Sequence, residues 1–197
     1  GLIFDGSHWF LSLSPELFVS LKGDAAKVKP MKGTRPRGDT AKADQALADE
    51  LASSVKDKAE NLMIVDLMRN DLSRVAEAGS VRVEAPFTVE SYPTVHQMVS
   101  SVHAKLQSGK TAIDLIRAIF PCGSITGAPK IRAMELINEV ERDALGGYCA
   151  ALGRIGSDGS APFNVAIRTA WTDKRSDTTY YGAGGAIVWD SDPAEEY

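Results

Sequence analysis

Apolar positions come in two rhythms along the chain. Near the N-terminus they form short runs, Trp9-Phe10-Leu11-Ser12-Leu13 and Leu17-Phe18-Val19-Ser20-Leu21, which read as strands closing on a Gly/Pro/Arg-rich loop at residues 32–38. From residue 41 to 70 the spacing lengthens. Leu47, Leu51 and Val55 recur four apart, and Leu62, Val65 and Met68 continue the stripe three apart, which predicts helix. Residues 95–106 alternate as a strand, and residues 111–120 read as a helix because Ile113, Ile116 and Ile119 sit three apart. A turn at residues 121–128 leads to Pro129 at the first position of a helix reaching about Arg142. Three strands are expected near residues 147–155, 162–172 and 178–189. In the second, Phe163, Val165 and Ile167 point one way and Asn164, Ala166 and Arg168 the other. No repeat or low-complexity linker divides the chain, so residues 1–197 read as one α+β unit of antiparallel strands and packed helices.

Composition narrows the class. With 44% hydrophobic and 24% charged residues the chain has the makeup of a soluble globular protein. A formal charge of -4 argues against a surface that tracks nucleic-acid phosphates, and a small anionic ligand would need local positive charge. No apolar run is long enough to span a bilayer, and no signal peptide is evident. Cys122 and Cys149 form no CxxC pair, so reduced thiols in a cytoplasmic setting are expected. Both ends read as cut. Gly1-Leu2-Ile3-Phe4 enters an apolar stretch without an initiator methionine, and the sequence stops at Asp192-Pro193-Ala194-Glu195-Glu196-Tyr197 with a helix signal just begun.

Several clusters carry residue types suited to chemistry. Glu16, in Ser14-Pro15-Glu16, and Lys32 flank a hairpin-like segment that can bring a carboxyl acid and an amine to one cleft. A lysine attacks once its proton is lost, which burial or a neighbouring cation promotes; Arg35 and Arg37 are candidate cations. From spacing alone Lys32 is also an ordinary solvated residue. Asp57 and Glu60 share a helix face and suit Mg2+, a hard cation that takes oxygen ligands, although flanking Lys56 and Lys58 also describe a charged solvent face. Gly123-Ser124-Ile125-Thr126-Gly127-Ala128-Pro129-Lys130 offers backbone donors, two hydroxyls and a lysine as a carboxylate cradle, or is a plain tight turn. His96 could act as a general base or be structural, and Arg168 could bind a carboxylate through its fork or form a surface ion pair. The glycine run at residues 182–185, followed by Asp190, Asp192, Glu195 and Glu196, allows close approach of a ligand and an acidic helix start.

Taken in order, these segments resemble the chorismate-utilising enzymes, a family that includes anthranilate, isochorismate, salicylate and aminodeoxychorismate synthases. The resemblance rests on Ser14-Pro15-Glu16, Lys32-Gly33-Thr34-Arg35-Pro36-Arg37-Gly38, Ala59-Glu60-Asn61-Leu62-Met63-Ile64-Val65-Asp66-Leu67, Arg69-Asn70-Asp71-Leu72, the Gly123–Lys130 turn, Ile167-Arg168-Thr169 and Gly184-Gly185. It implies two packed antiparallel sheets flanked by helices, with a missing N-terminal half and a missing extreme C-terminus. It also implies Mg2+ held by Glu60, with Asp57 and Glu196 acting through water. Chorismate would meet Thr34, Ser124, Thr126, Gly127, Ala128, Tyr148, Arg168, Gly184 and Gly185, with His96 near the departing ring hydroxyl. Two departures stand out: the second direct metal glutamate falls beyond Tyr197, and Ala186 stands where many members carry glycine.

Lys32 selects the branch. Anthranilate and isochorismate synthases typically carry alanine before this Gly-Thr, whereas members that make 4-amino-4-deoxychorismate typically carry lysine. The resemblance then implies Lys32 as a covalent nucleophile, Glu16 as acid and base, and a glutamine amidotransferase partner that supplies ammonia. The alternatives are anthranilate synthase component I, which shares every motif except the lysine, and a catalytically silent metabolite-binding or partner subunit.

Overall fold

The computed structural model describes residues 1–187, 191, 192 and 194. Strands β1 (Leu2–Phe4), β2 (His8–Ser12), β3 (Leu17–Lys22), β4 (Ala25–Lys29) and β5 (Met31–Pro36) precede helices α1 (Ala41–Ser53) and α2 (Val55–Ser73). Strands β6 (Arg82–Ser91) and β7 (Val95–Lys105) follow, then helices α3 (Ala112–Ile119), α4 (Gly123–Thr126) and α5 (Lys130–Val140), then β8 (Ala151–Gly153), β9 (Ala161–Val165), β10 (Thr169–Asp173) and β11 (Thr178–Tyr181). The strands form two antiparallel sheets, a small one ordered β1-β2-β10-β11 and a large one ordered β5-β7-β4-β3-β9-β8, with β6 also paired to β7. No helix among the described residues is long and apolar enough to cross a membrane.

Local chemistry explains most helix boundaries. The long helical stretch is two helices because Ser54 ends α1 and starts α2, its hydroxyl accepting from the Asp57 N–H at 3.2 Å. Thr111 and Asp114 form a reciprocal capping box on α3. The core lies between the large sheet and the helices α2 and α3, where Phe18, Val28, Met68, Leu72, Val102 and Ile119 are each at most 2% exposed. Each such side chain contributes about 1.5–3 kcal/mol of hydrophobic stabilisation.

The structure departs from the sequence reading at several points. Of residues 32–38, expected as a loop, 32–36 lie in β5 and only 37–38 stay outside it, and the expected turn at 121–128 contains the single-turn helix α4. On α3 the buried residues are Ala112, Leu115, Ala118 and Ile119, while Ile113 stands 52% exposed, so the isoleucine spacing marked the wrong edge of the face. The strand expected over 162–172 is two strands in different sheets. At Arg168 the backbone turns to φ 48, in the left-handed region, and the alternation is lost between the buried neighbours Val165 and Ala166.

That break matters because, among the described residues, it is one of two places where the chain passes between sheets, the other being residues 13–16. They lie side by side. The Leu13 N–H donates to the Arg168 carbonyl at 3.0 Å, and the buried Thr169 hydroxyl donates to Ser12 Oγ at 2.9 Å. Glu16 and Ile167 sit on these two crossings.

Candidate active site

At the seam between the sheets lies a cleft of ≈ 760 Å³, lined by residues that include Glu16, Lys32, Ser124, Tyr148, Trp171 and the run at 182–186. A cavity of that size suits a small-molecule ligand. An adjoining cavity of ≈ 700 Å³ shares Ile125, Ile137, Glu141 and Tyr148 with it and adds Thr126.

Glu16 is held by its backbone. Its N–H donates to Ser14 Oγ at 3.2 Å, and its carbonyl accepts from the Val165 N–H at 3.1 Å. The residue is only 6% exposed, and Oε1 is buried with no hydrogen-bond partner. Burial pushes the carboxyl above its ordinary value of 4.5, opposed by the Ser124 side chain and the Lys32 charge. A carboxyl that keeps its proton longer than usual suits proton donation and return.

Lys32 reaches the cleft from β5. Next to it Gly33 adopts φ 86, and a Cβ there would lie 2.9 Å from Asp57. The two arginines expected to act on Lys32 are engaged elsewhere: Arg35 donates to Glu50 at 2.9 Å and to Asp57 at 3.1 Å, and Arg37 holds Asp44 through bonds of 2.7 and 2.6 Å. Their charges are matched by carboxylates, so they form a braced loop and not a pair of unpaired cations beside the amine.

The turn around α4 brings Ser124 into the cleft. Its hydroxyl lies 3.1 Å from the Cys122 sulfur, while the N–H groups of Ile125, Thr126 and Gly127 bond back to Cys122 and Gly123 within the turn. Gly127 takes φ 112, and Ala128 is exposed. Lys130 is not part of a ligand cradle. Its ammonium donates to Asp71 and to the carbonyls of Ile119 and Pro121, which uses all three of its hydrogens.

Tyr148 is half-buried, and burial pushes its hydroxyl above the ordinary value. A Cβ on Gly182 would lie 2.3 Å from Tyr148 Cγ, and one on Gly184 3.1 Å from the Tyr148 hydroxyl. The glycine run therefore admits the tyrosine ring of its own chain, and Gly184 and Gly185 face the cleft beside it.

Other expected site residues stand apart from the cleft lining. Thr34 is exposed on β5 and Arg168 is exposed at the sheet crossing. His96 is 1% exposed, with Ser91 Oγ 2.8 Å from one ring nitrogen and Asp44 Oδ1 2.9 Å from the other. Asp44 is in turn held well below the usual carboxylate range, first by Arg37 and then by the Gly38 N–H. Glu196, Asp190 and Glu195 lie outside the described residues. Asp57 and Glu60 stand on α2, and among the described residues no three His, Cys, Asp or Glu side chains gather as a metal site. Asp57 Oδ2 already accepts from Arg35 at 3.1 Å, which leaves it to act through water, while Glu60 on the same helix is the hard oxygen donor Mg2+ takes, usually one or two from protein with water and substrate oxygens beside them. The donor chemistry fits.

Three residues near the site gave no usable signal in the sequence. Trp171 and Cys149 line the cleft, the latter at φ 62 with its thiol pushed up by burial to about 11, which makes it a poor nucleophile. Gln97 donates through Nε2 to the Gly33 carbonyl at 3.2 Å and to Thr34 Oγ1 at 2.9 Å.

Fold and cleft together define a two-sheet α+β chain with a carboxyl and an amine set at the seam of its sheets. The chain belongs to the chorismate binding enzyme family, whose sequence pattern it matches over residues 2–197. It is 47% identical over 195 residues to aminodeoxychorismate synthase component 1 of Salmonella typhimurium, covering 99% of this chain and 42% of that one. It is 45% identical over 191 residues to anthranilate synthase component 1 of Spirochaeta aurantia, covering 97% and 39%. The crystal structure of anthranilate synthase component I from Streptococcus pneumoniae TIGR4 superposes with a TM-score of 0.86 at 36% identity, covering 100% of this chain and 42% of that one. The chain thus spans about two fifths of the length of these relatives.

Proposed function

We propose that the whole protein converts chorismate and ammonia to 4-amino-4-deoxychorismate, with the ammonia supplied from glutamine by a partner glutaminase. The observation that carries this reading is Lys32 in one cleft with Glu16, a buried carboxyl with an unpartnered oxygen. The partner is supported by relatives named as a component 1.

The chemistry divides into two substitutions. The Lys32 amine forms a bond to ring C2, the ring double bonds shift, and the C4–O bond breaks; the proton that Glu16 holds goes to the departing hydroxyl, which leaves as water. Ammonia then attacks C4, the double bonds shift back, and the C2–N bond breaks to return Lys32. The proton lost by the incoming nitrogen restores the balance, so chorismate and ammonia yield product and one water. Tyr148 and Ser124 face the substrate from the cleft wall. Glu60 and Asp57, with Glu196, would hold Mg2+, whose charge offsets that of a substrate carboxylate.

A second reading, anthranilate synthase, is favoured by the relative from Spirochaeta aurantia. The product decides between them. Full-length protein given chorismate, Mg2+ and an ammonium salt is expected to accumulate 4-amino-4-deoxychorismate; anthranilate with pyruvate as the sole products would overturn the proposal.

A further inference from the structure

The β5–β7 ladder is interrupted at Lys32. Met31 pairs with Val99 and Thr34 with Gln97, so Lys32 and Gly33 together stand opposite the single residue Met98. This is a bulge, the device by which a strand re-aims a side chain. A regular ladder would set residue 32 against Met98, which is fully buried, and turn it to the same buried face. With the extra residue, Lys32 lines the cleft instead. An unpaired bulge residue needs its polar groups met from elsewhere, and one side chain does so. Gln97 Nε2 bonds both the Gly33 carbonyl and the Thr34 hydroxyl, on either side of the bulge's exit.

We infer that Gln97 is a positioning residue that holds the β5 bulge in the form that delivers Lys32 to the cleft. The inference rests on the reading of Lys32 as the group that meets the substrate. The Gln97 bond to the Gly33 carbonyl fixes the backbone just after the lysine and its bond to the Thr34 hydroxyl ties down the next side chain, so losing both lets the amine leave the cleft for solvent while the groups that bind substrate stay in place.

The test uses the full-length protein, with steady-state kinetics on chorismate and ammonia beside the rate at which acetic anhydride labels Lys32, read by peptide mass spectrometry. Gln97→Met keeps length and removes both donors. It is expected to lower kcat about tenfold with KM within about twofold, and to speed labelling of Lys32 at least about twofold. Gln97→His, which retains an N–H donor, is expected to recover most of the loss. Thr34→Val removes one acceptor only and is expected to give a smaller change in the same direction, which keeps the test open if Gln97→Met fails to fold. Parental kcat and labelling in the folded variants would overturn the inference, as would a fall in kcat with labelling unchanged. If Lys32→Ala turns over normally while Gln97→Met still alters labelling, the positioning role stands and the catalytic reading of Lys32 fails.

Discussion

The Lys130 ammonium at the start of α5 donates to the Asp71 carboxylate near the end of α2, and its other hydrogens go to the carbonyls of Ile119 and Pro121 at 2.9 and 2.7 Å. One side chain therefore ties α5, α2 and the α3–α4 connection together, which sets the turn that carries Ser124. Asp71 is 2% exposed, so it cannot exchange this partner for water.

Removing that partner leaves a buried carboxylate unpaired. Lys130→Met is expected to destabilise the protein by about 3–5 kcal/mol, and the double variant Lys130→Met/Asp71→Asn by clearly less, because the second change removes the stranded charge. Urea unfolding of the parent, both single variants and the double variant measures this. Additive losses would mean the pair is not coupled.

Gly33 combines a left-handed φ of 86 with 2.9 Å of clearance to Asp57. Gly33→Ala must strain the backbone and displace Asp57, at a cost of about 1–3 kcal/mol. Activity should fall further than stability alone explains, since Gly33 directly follows Lys32 in β5. Thermal unfolding and kcat on one preparation separate the two effects.

Glu16 links stability to pH. Its folded value lies above the ordinary 4.5 because of burial, so between those two values the folded chain holds a proton that the unfolded chain has lost. Its stabilising contribution is full below 4.5 and is lost as pH rises through the raised value. Glu16→Gln removes this dependence. The variant is expected to be nearly inactive, yet relatively more stable towards neutral pH than in acid when compared with the parent. Unfolding series from acid to neutral pH on both proteins check it; a parent-minus-variant difference that is flat with pH would contradict the raised value.

Lys32 separates a nucleophile from a bystander. Lys32→Ala in the full-length protein is expected to lower kcat with ammonia about a hundredfold or more, a loss typical of a positioned reactive group, while KM for chorismate changes little. Lys32→Arg should fail as well, because a guanidinium keeps its proton and cannot attack. Mass spectrometry of the parent with chorismate, without an amine donor, should show an adduct on the Lys32 peptide. Near-normal turnover by Lys32→Ala with no adduct would falsify the covalent role.

The α+β class and most of the helices were legible in the amino-acid sequence through local periodicity, and the family with its two sheets through short motifs kept in order; Glu16 and Lys32, expected at one cleft, both line it. Misreadings came where chemistry depends on what a residue faces. Lys130 looked like a ligand group until Asp71 took its charge, and Arg35 and Arg37 looked like activators of Lys32 until Asp57, Glu50 and Asp44 matched them. Spacing records which residues are near in the chain, whereas burial and ion pairing arise between elements far apart in it. The bulge that turns Lys32 to the cleft, the break at Arg168 that sends one apparent strand into two sheets, and the desolvation of Glu16 were decided only in three dimensions, where strands from distant parts of the chain meet.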